Sequence, residues 1–323
     1  MIPDRRTAGL EKCAPSQGGK KIMAGSKSLF DEYLAQEVEN SKGVFFPVKT
    51  GILSRLLIRE ARCDDLHPNP EDEFCSPQIG PNYKIISAYQ QQYVDALKMS
   101  QHYYEGEPII VERTHPEGYR IINGHHRWAA ALRTGQAKIP IRIVNLTHEE
   151  DVKKILENSR RTKRAAIDLD EVIFRKEGEA PLERPLPFPW SMLYKERIRL
   201  GVPALFHLLA KNGYDIWLYS AQYYSTDYIQ NLFRRYHVRV DGVIAAIGKR
   251  AHAAGDAGKK LEKQISDKYH YTLHIDNETV LQIFSGSKEF RDFPLGGESA
   301  DWSKEVMDAL ETIEKGEGES EQP

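Results

Sequence analysis

The sequence predicts two tandem domains of mixed α and β structure, an α+β unit followed by an α/β unit built on a parallel sheet. Three features predict it. The first is Ala165-Ala-Ile-Asp168-Leu-Asp170, an apolar run suited to a strand covered on both faces, which ends abruptly in two carboxylates. The second is that two later runs, Tyr214–Ser220 and Tyr271–Asn277, also end in polar tips, where open α/β sheets collect their functional groups. The third is a pair of alternating runs around Pro116-Glu-Gly118 that feeds an alanine-rich segment, the pattern of a hairpin leading into a helix.

In chain order, residues 1–28 are rich in Gly, Lys and Ser and are expected to be a disordered tail, followed by a short helix over Leu29–Glu39 that stops before Gly43. The first domain is set at residues 29–147. Within it Gln78–Lys84 carries turn chemistry, Ala88–Met99 is amphipathic, and Glu107–Asn123 forms the hairpin. Gly124 stands at the strand-to-helix junction, Gly135 suits the helix C-cap and Ile139–Val144 returns as a strand. Residues 148–164 read as a helix over Glu149–Ser159 and a basic linker, Arg160-Arg-Thr-Lys-Arg164, of a kind that is usually just solvated. The second domain is set at 165–312, with Gly258-Lys259-Lys260 opening a helix between the second and third strands. Residues 313–323 are expected to be a disordered polar tail.

A length of 323 residues holds two cores, and 40% hydrophobic with 28% charged residues is ordinary for globular chains. A formal net charge of -2 gives no electrostatic case for nucleic-acid binding over the whole molecule. Cys13, Cys63 and Cys75 have neither metal spacing nor the density of a disulfide framework, and no run has the length of a membrane span or the form of a secretory signal. A cytoplasmic protein without a membrane partner is expected.

Two constellations carry chemistry. In the second domain the carboxylates Asp168 and Asp170, the hydroxyl of Ser220, a helix-start lysine and the carboxylate Asp276 occur in that order. Lysine in a helix's first turn gains nothing from the dipole, so Lys259 and Lys260 need another reason, such as a phosphate. On these motifs residues 163–286 resemble the haloacid dehalogenase (HAD) superfamily of phosphohydrolases. The resemblance implies a Rossmannoid domain in which Asp168 is the nucleophile that forms an aspartyl-phosphate, Asp170 is the general acid and base, and Ser220 with Lys259 or Lys260 neutralises the transferring group. It also implies Mg2+ held by Asp168, the backbone carbonyl of Asp170 and Asp276, with Asn277 orienting a metal-bound water. Asn277 departs from the acid pair common at this position, and Lys249 competes with Lys259 and Lys260. The proline-rich Glu179–Trp190 stretch sits where such proteins insert a flap; Phe188 and Trp190 either stack on a planar group or pack on the domain.

In the first domain Asn123-Gly124-His125-His126-Arg127 brings a permissive glycine, the free N–H groups of a helix start and cationic side chains together as an anion-binding corner. The plainer role for the histidines is to cap N–H groups. This box and its small-residue helix resemble the ParB/sulfiredoxin superfamily, over roughly Ala61 to Leu146. The resemblance implies binding of a nucleotide (ATP, ADP or CTP) with its phosphates at Gly124, His125, His126 and Arg127. His125 stands where sulfiredoxins carry a cysteine, and no helix-turn-helix follows as it does in partition ParB proteins. The Gly-His-His-Arg variant is most similar to the branch that includes free-serine kinases, for which Glu73 and Glu107 are candidate bases. The leading expectation is a Mg2+-dependent phosphomonoester hydrolase acting on a phosphorylated small molecule or nucleotide and carrying a nucleotide-binding front domain. The alternatives are a regulatory nucleotide binder, a ParB-type DNA-binding protein, and a bifunctional small-molecule kinase and phosphatase.

Overall fold

The computed structural model describes residues 27–41, 43–98, 106–246, 256–287, 289–296 and 301–320. In the front half, helix α1 (Lys27–Ser41), strand β1 (Phe46–Pro47), helix α2 (Ile52–Leu57), strands β2 (Glu60–Arg62) and β3 (Leu66–His67) and helix α3 (Tyr83–Lys98) lead to the hairpin of β4 (Ile109–His115) and β5 (Tyr119–Asn123). Helix α4 (His125–Arg133), strand β6 (Lys138–Ile143) and helix α5 (Glu149–Asn158) follow. The sheet is mixed, in the order β2-β6-β4-β5-β3 with β1 added to β4, and β4 runs parallel to β6 but antiparallel to β5. Trp128 and Ala129–Ala131 of α4 are buried, the alanines letting the helix lie close while the indole donates to Cys63 O at 3.1 Å. The hairpin, helix and returning strand are those the sequence predicts.

The rear half runs β7 (Lys163–Asp168), a π-helical turn at Leu169–Ile173, α6 (Trp190–Leu193), α7 (Val202–Lys211), β8 (Tyr214–Tyr219), α8 (Thr226–Arg235) and β9 (Gly242–Ile244). It continues through α9 (Asp256–Lys268), β10 (Tyr271–Ile275), β11 (Thr279–Phe284), β12 (Phe290–Pro294) and α10 (Trp302–Ser320). The sheet order is β12-β11-β10-β7-β8-β9; β10, β7, β8 and β9 are parallel, and β11 and β12 extend one edge antiparallel. Central strands with apolar residues on both faces need cover on both faces. One face packs on Leu205, Phe206 and Leu209 of α7, Leu232 and Phe233 of α8, and Val306 and Leu310 of α10. The other presents Trp217 and Ile244 to Ile265 of α9 and to Val152, Ile155 and Leu156 of α5. A Cβ at Gly242 would lie 2.3 Å from the Trp217 ring, so only glycine lets the indole fill this layer.

Two expectations are corrected here. Residues 148–164 are not a solvated connector: α5 is a structural layer of the rear sheet, and most of the basic run is paired inside the protein. Arg164, 1% exposed, donates to Thr272 Oγ1, Tyr219 OH and Glu262; Lys163 pairs with Glu314 at 2.9 Å; Arg161 donates to Tyr214 O and lies beside Asp215 and Asp241. The expected tail also begins too early. Trp302, Val306, Leu310 and Ile313 recur on one helical face, all buried, and Glu314 accepts from Lys163 and Tyr214, so α10 carries residues 313–320 as ordered structure. Residues 1–26 and 321–323 lie outside the described residues.

The two halves meet along a hydrogen-bonded seam. Asn145, 5% exposed, spends every polar group it has: its backbone N–H donates to Ser225 Oγ and its C=O accepts from Thr226 N, its Oδ1 accepts from Thr50 N, and its Nδ2 donates to Thr50 O and Asp227. Arg55 of α2 grips the same Asp227 through two bonds of 2.7 and 2.6 Å. Burial raises the Asp227 pKa, but this guanidinium and Asn145 outweigh it and leave the carboxyl below its ordinary value. Beside the polar seam, Ile110, Val144 and Leu146 pack on Ala245, Tyr223 and Tyr224.

Candidate functional site

The parallel register fixes the geometry of the rear site. Ile275 pairs with Ile167 and Tyr219 with Asp168, so Asp276 and Ser220 emerge just past the strand ends on either side of the Asp168–Asp170 segment. Neighbouring strands lie about 4.8 Å apart, which brings groups from three distant parts of the chain to one edge. The edge is open: Asp276 is exposed, and Asp168 and Asp170 are half-buried. Cavities lie elsewhere among the described residues, including one of about 430 Å³ at the amino ends of the strands, lined by Arg161, Asp215 and Asp241, and one of about 600 Å³ at the seam.

The π-helical turn after β7 folds the chain so that Asp168 caps it, accepting from Glu171 N at 2.7 Å. Burial raises the Asp168 pKa, opposed by that backbone N–H and reinforced by the Asp170 charge. Asp170 is held by the strand beside it: Ser220 Oγ lies 3.0 and 2.9 Å from its two oxygens, and Ala221 N donates at 2.8 Å. Ser220 is completely buried and its oxygen accepts from Gln222 N, so its hydroxyl orients Asp170. Asp276 begins a tight turn in which its carboxylate accepts from Asn277 N, while its carbonyl accepts from Trp302 Nε1.

Asn277, expected to orient a metal-bound water, is engaged otherwise. Its Oδ1 accepts from Arg175 at 2.6 Å and Arg199 at 2.8 Å, and its Nδ2 donates to Glu171 O at 3.0 Å. Arg199 is buried and its guanidinium carbon lies over the Trp302 ring, 4.3 Å from its centroid. Two guanidinium groups therefore hold Asn277, whose Nδ2 ties the Asp276 turn to the Asp168 turn. Among the described residues no group of three or more His, Cys, Asp and Glu is arranged to hold a metal. The carboxylates of Asp168 and Asp276 and the carbonyl of Asp170 follow the ends of neighbouring parallel strands and are hard oxygen donors of the type that suits Mg2+.

Lys259 and Lys260 are the fourth and fifth residues of α9 as described from Asp256, not the residues directly after a helix-opening Gly258; their side chains, like all of Lys249, lie outside the described residues. In the flap segment Phe188 is 78% exposed, whereas Trp190 packs under Arg235 at 3.5 Å. One aromatic is thus free to meet a ligand and the other is occupied.

The front corner is built differently. Gly124 has φ 106°, and a Cβ there would also crowd Arg127 at 3.1 Å and Ile109 at 3.2 Å, which explains the glycine twice over. The first intrahelical bond is Trp128 N to Gly124 O, so the N–H groups of residues 125–127 precede the helical ladder. The side chains turn inward. His125 is buried, accepts from Asn69 N at 3.1 Å, stacks on Phe74 and approaches Asp72 at 3.5 Å. His126 accepts from Asn82 N at 3.1 Å. Burial lowers both imidazole pKa values, with Asp72 opposing, and keeps them neutral acceptors. Arg127 donates to Glu107 O, Pro108 O and Asn123 Oδ1. The plainer role of these histidines, satisfying N–H groups, is the one observed, except that the N–H groups belong to two loops packed on the helix. Asn123 closes a cross-domain contact that sequence reading missed, donating from Nδ2 to Tyr223 OH at 3.2 Å.

This half has a known relative. Residues 78–159 match the ParB N-terminal domain family. The ParB-like domain so defined takes in α3, the β4–β5 hairpin, the Gly124 corner, β6 and the whole of α5, and so reaches past the expected boundary at 147 into the layer that covers the rear sheet. A solved structure of the C-terminally truncated chromosome-partitioning protein ParB from Caulobacter crescentus, complexed to the centromeric parS site, aligns at 22% identity over 32% of this chain and 51% of that chain, with a TM-score of 0.21. The chain thus spans about half the length of that structure. No curated protein matches the chain. Among the described residues no helix is long and apolar enough to cross a membrane.

Proposed function

We propose that the protein hydrolyses phosphomonoesters at the carboxyl edge of the rear sheet. The observation that carries this reading is Asp170, held by Ser220 Oγ and Ala221 N, two positions after Asp168 and beside the strand that ends at Asp276. Asp168 attacks phosphorus and the ester oxygen leaves as Asp170 delivers a proton to it; the same Asp170 then takes a proton from the water that splits the aspartyl-phosphate. The half-buried setting of Asp168 raises its pKa, so the ionised nucleophile is lost on acidification sooner than an ordinary aspartate would be. Asp168, the Asp170 carbonyl and Asp276 would hold Mg2+, which when bound offsets the negative charge of the phosphoryl oxygens. Arg175 and Arg199 keep the Asp276 turn in place through Asn277. Lys259 or Lys260 is the candidate for the remaining cation. Release of phosphate from an aryl phosphate, dependent on Mg2+ and absent in Asp168→Asn, is the test; full turnover by that variant sinks the reading.

A second reading is favoured by the ParB N-terminal match at residues 78–159: a ParB-type protein that binds nucleic acid, with a nucleotide such as CTP, ATP or ADP held at the helix start of the Gly124 corner. Retention on duplex DNA that falls steeply with added salt supports it, and salt-independent or absent retention removes it.

A further inference from the structure

The ParB-like domain packs against the loop that follows Ser220. One row of residues crosses its sheet in register, Asn123 on β5, Ile110 on β4 and Arg142 on β6. Direct partners in a sheet point to the same face. Two members of the row already touch the loop that follows Ser220: Asn123 donates to Tyr223 OH, and Ile110 packs in the cluster with Tyr223 and Tyr224. The third, Arg142, is exposed, and its guanidinium makes no hydrogen bond or ion pair among the described residues. Tyr224 packs in the same cluster. Its ring meets Phe174, just beyond the turn that carries Asp170, at 5.8 Å, and its hydroxyl feels both Asp170 and Arg142 while burial, the larger cause, pushes it up to about 12.

A general acid must touch the leaving oxygen, so the leaving group extends from Asp170 along this wall. We infer that Arg142 selects substrates whose leaving group carries a second anionic group, such as a nucleoside bisphosphate rather than a monophosphate. The inference rests on the hydrolase reading above. An exposed guanidinium without a protein partner binds phosphate through charge-assisted hydrogen bonds, and its charge alone discriminates a second anionic group.

The test uses the full chain and three substrates: phenyl phosphate, a nucleoside monophosphate and the corresponding nucleoside bisphosphate. The native protein should favour the bisphosphate over the monophosphate about tenfold in kcat/KM, the worth of one charged hydrogen bond. Arg142→Ala should remove that preference through KM while leaving phenyl phosphate turnover unchanged, and Arg142→Lys should restore most of it. Equal loss on all three substrates, or no preference in the native protein while phenyl phosphate is turned over, overturns the assignment of Arg142 alone. Absence of turnover on every substrate overturns the hydrolase reading and this inference with it.

Discussion

The front corner and the rear edge carry sequence motifs of equal promise, a Gly-His-His-Arg box and an Asp-x-Asp, yet their side chains have opposite destinations. At the front, His125, His126 and Arg127 are used up on the backbone of residues 69, 82, 107 and 108. At the rear, Asp276 is exposed, Asp168 is half-buried, and a buried hydroxyl is spent on orienting Asp170. The difference teaches that a polar motif reports a ligand site only when its hydrogen bonds are not already taken by the protein. Buried polar groups must be satisfied somewhere.

The largest expected effect sharpens that contrast. Asp168→Asn should cut phosphate release by about a thousandfold or more. Because the fold raises the pKa of Asp168, its ionised form costs stability at pH above that pKa, so the same variant should melt no lower than the native protein at neutral pH. A melting temperature that collapses with activity would make Asp168 a structural residue like those of the front corner. Next, Ser220→Ala should lower kcat by about tenfold to a hundredfold with KM little changed, since it loosens Asp170 without touching the nucleophile. An unchanged kcat would break the claim that Ser220 orients the acid.

The seam offers a stability effect. Asn145→Ala strands the N–H of Thr50, leaves the Thr50 C=O and Asp227 with Arg55 as their remaining side-chain donor, and should cost about 1–3 kcal/mol for the buried group left unpaired. Chemical denaturation that reveals two separate transitions in the variant and one in the native chain would show that this residue couples the halves. A loss below about 1 kcal/mol, within the range of surface changes, would deny it.

The smallest effect belongs to the front corner and to pH. His125 has its folded pKa lowered from 6.5, so it contributes stability that is present above that unfolded value and lost as pH falls through the folded one. Melting temperature should drop as pH falls below 6.5, and His125→Phe should flatten that dependence; an identical slope in the variant would place the sensitivity elsewhere.

Much of this molecule is legible in its sequence. The strands ending at Asp168, Ser220 and Asp276 are visible because a buried parallel strand is apolar throughout and stops where solvent begins, and the hairpin with its alanine-rich helix is visible through local periodicity and turn chemistry. Other parts are not. Arg175 and Arg199 converge on Asn277 from positions 102 and 78 residues away, and no spacing rule links them. The basic run at 160–164 looks like a solvated linker because charge is read as exposure, whereas Arg164 finds three partners that come from β8, α9 and β10. The polar end of α10 hides Ile313 and Glu314, which only the neighbouring strands show to be needed.

The sequence by itself determined the local elements, the polar strand ends and the glycine of the front corner, because these follow from short-range sterics, periodicity and burial. Only the tertiary structure decided which strand lies beside which, that α5 covers the rear sheet, that the front histidines face inward, and that Asn123 meets Tyr223 across the two halves. Strand order and side-chain pairing depend on contacts between residues far apart in the chain, and a hydrogen-bonding group has no preference for a partner until the fold brings one within 3 Å.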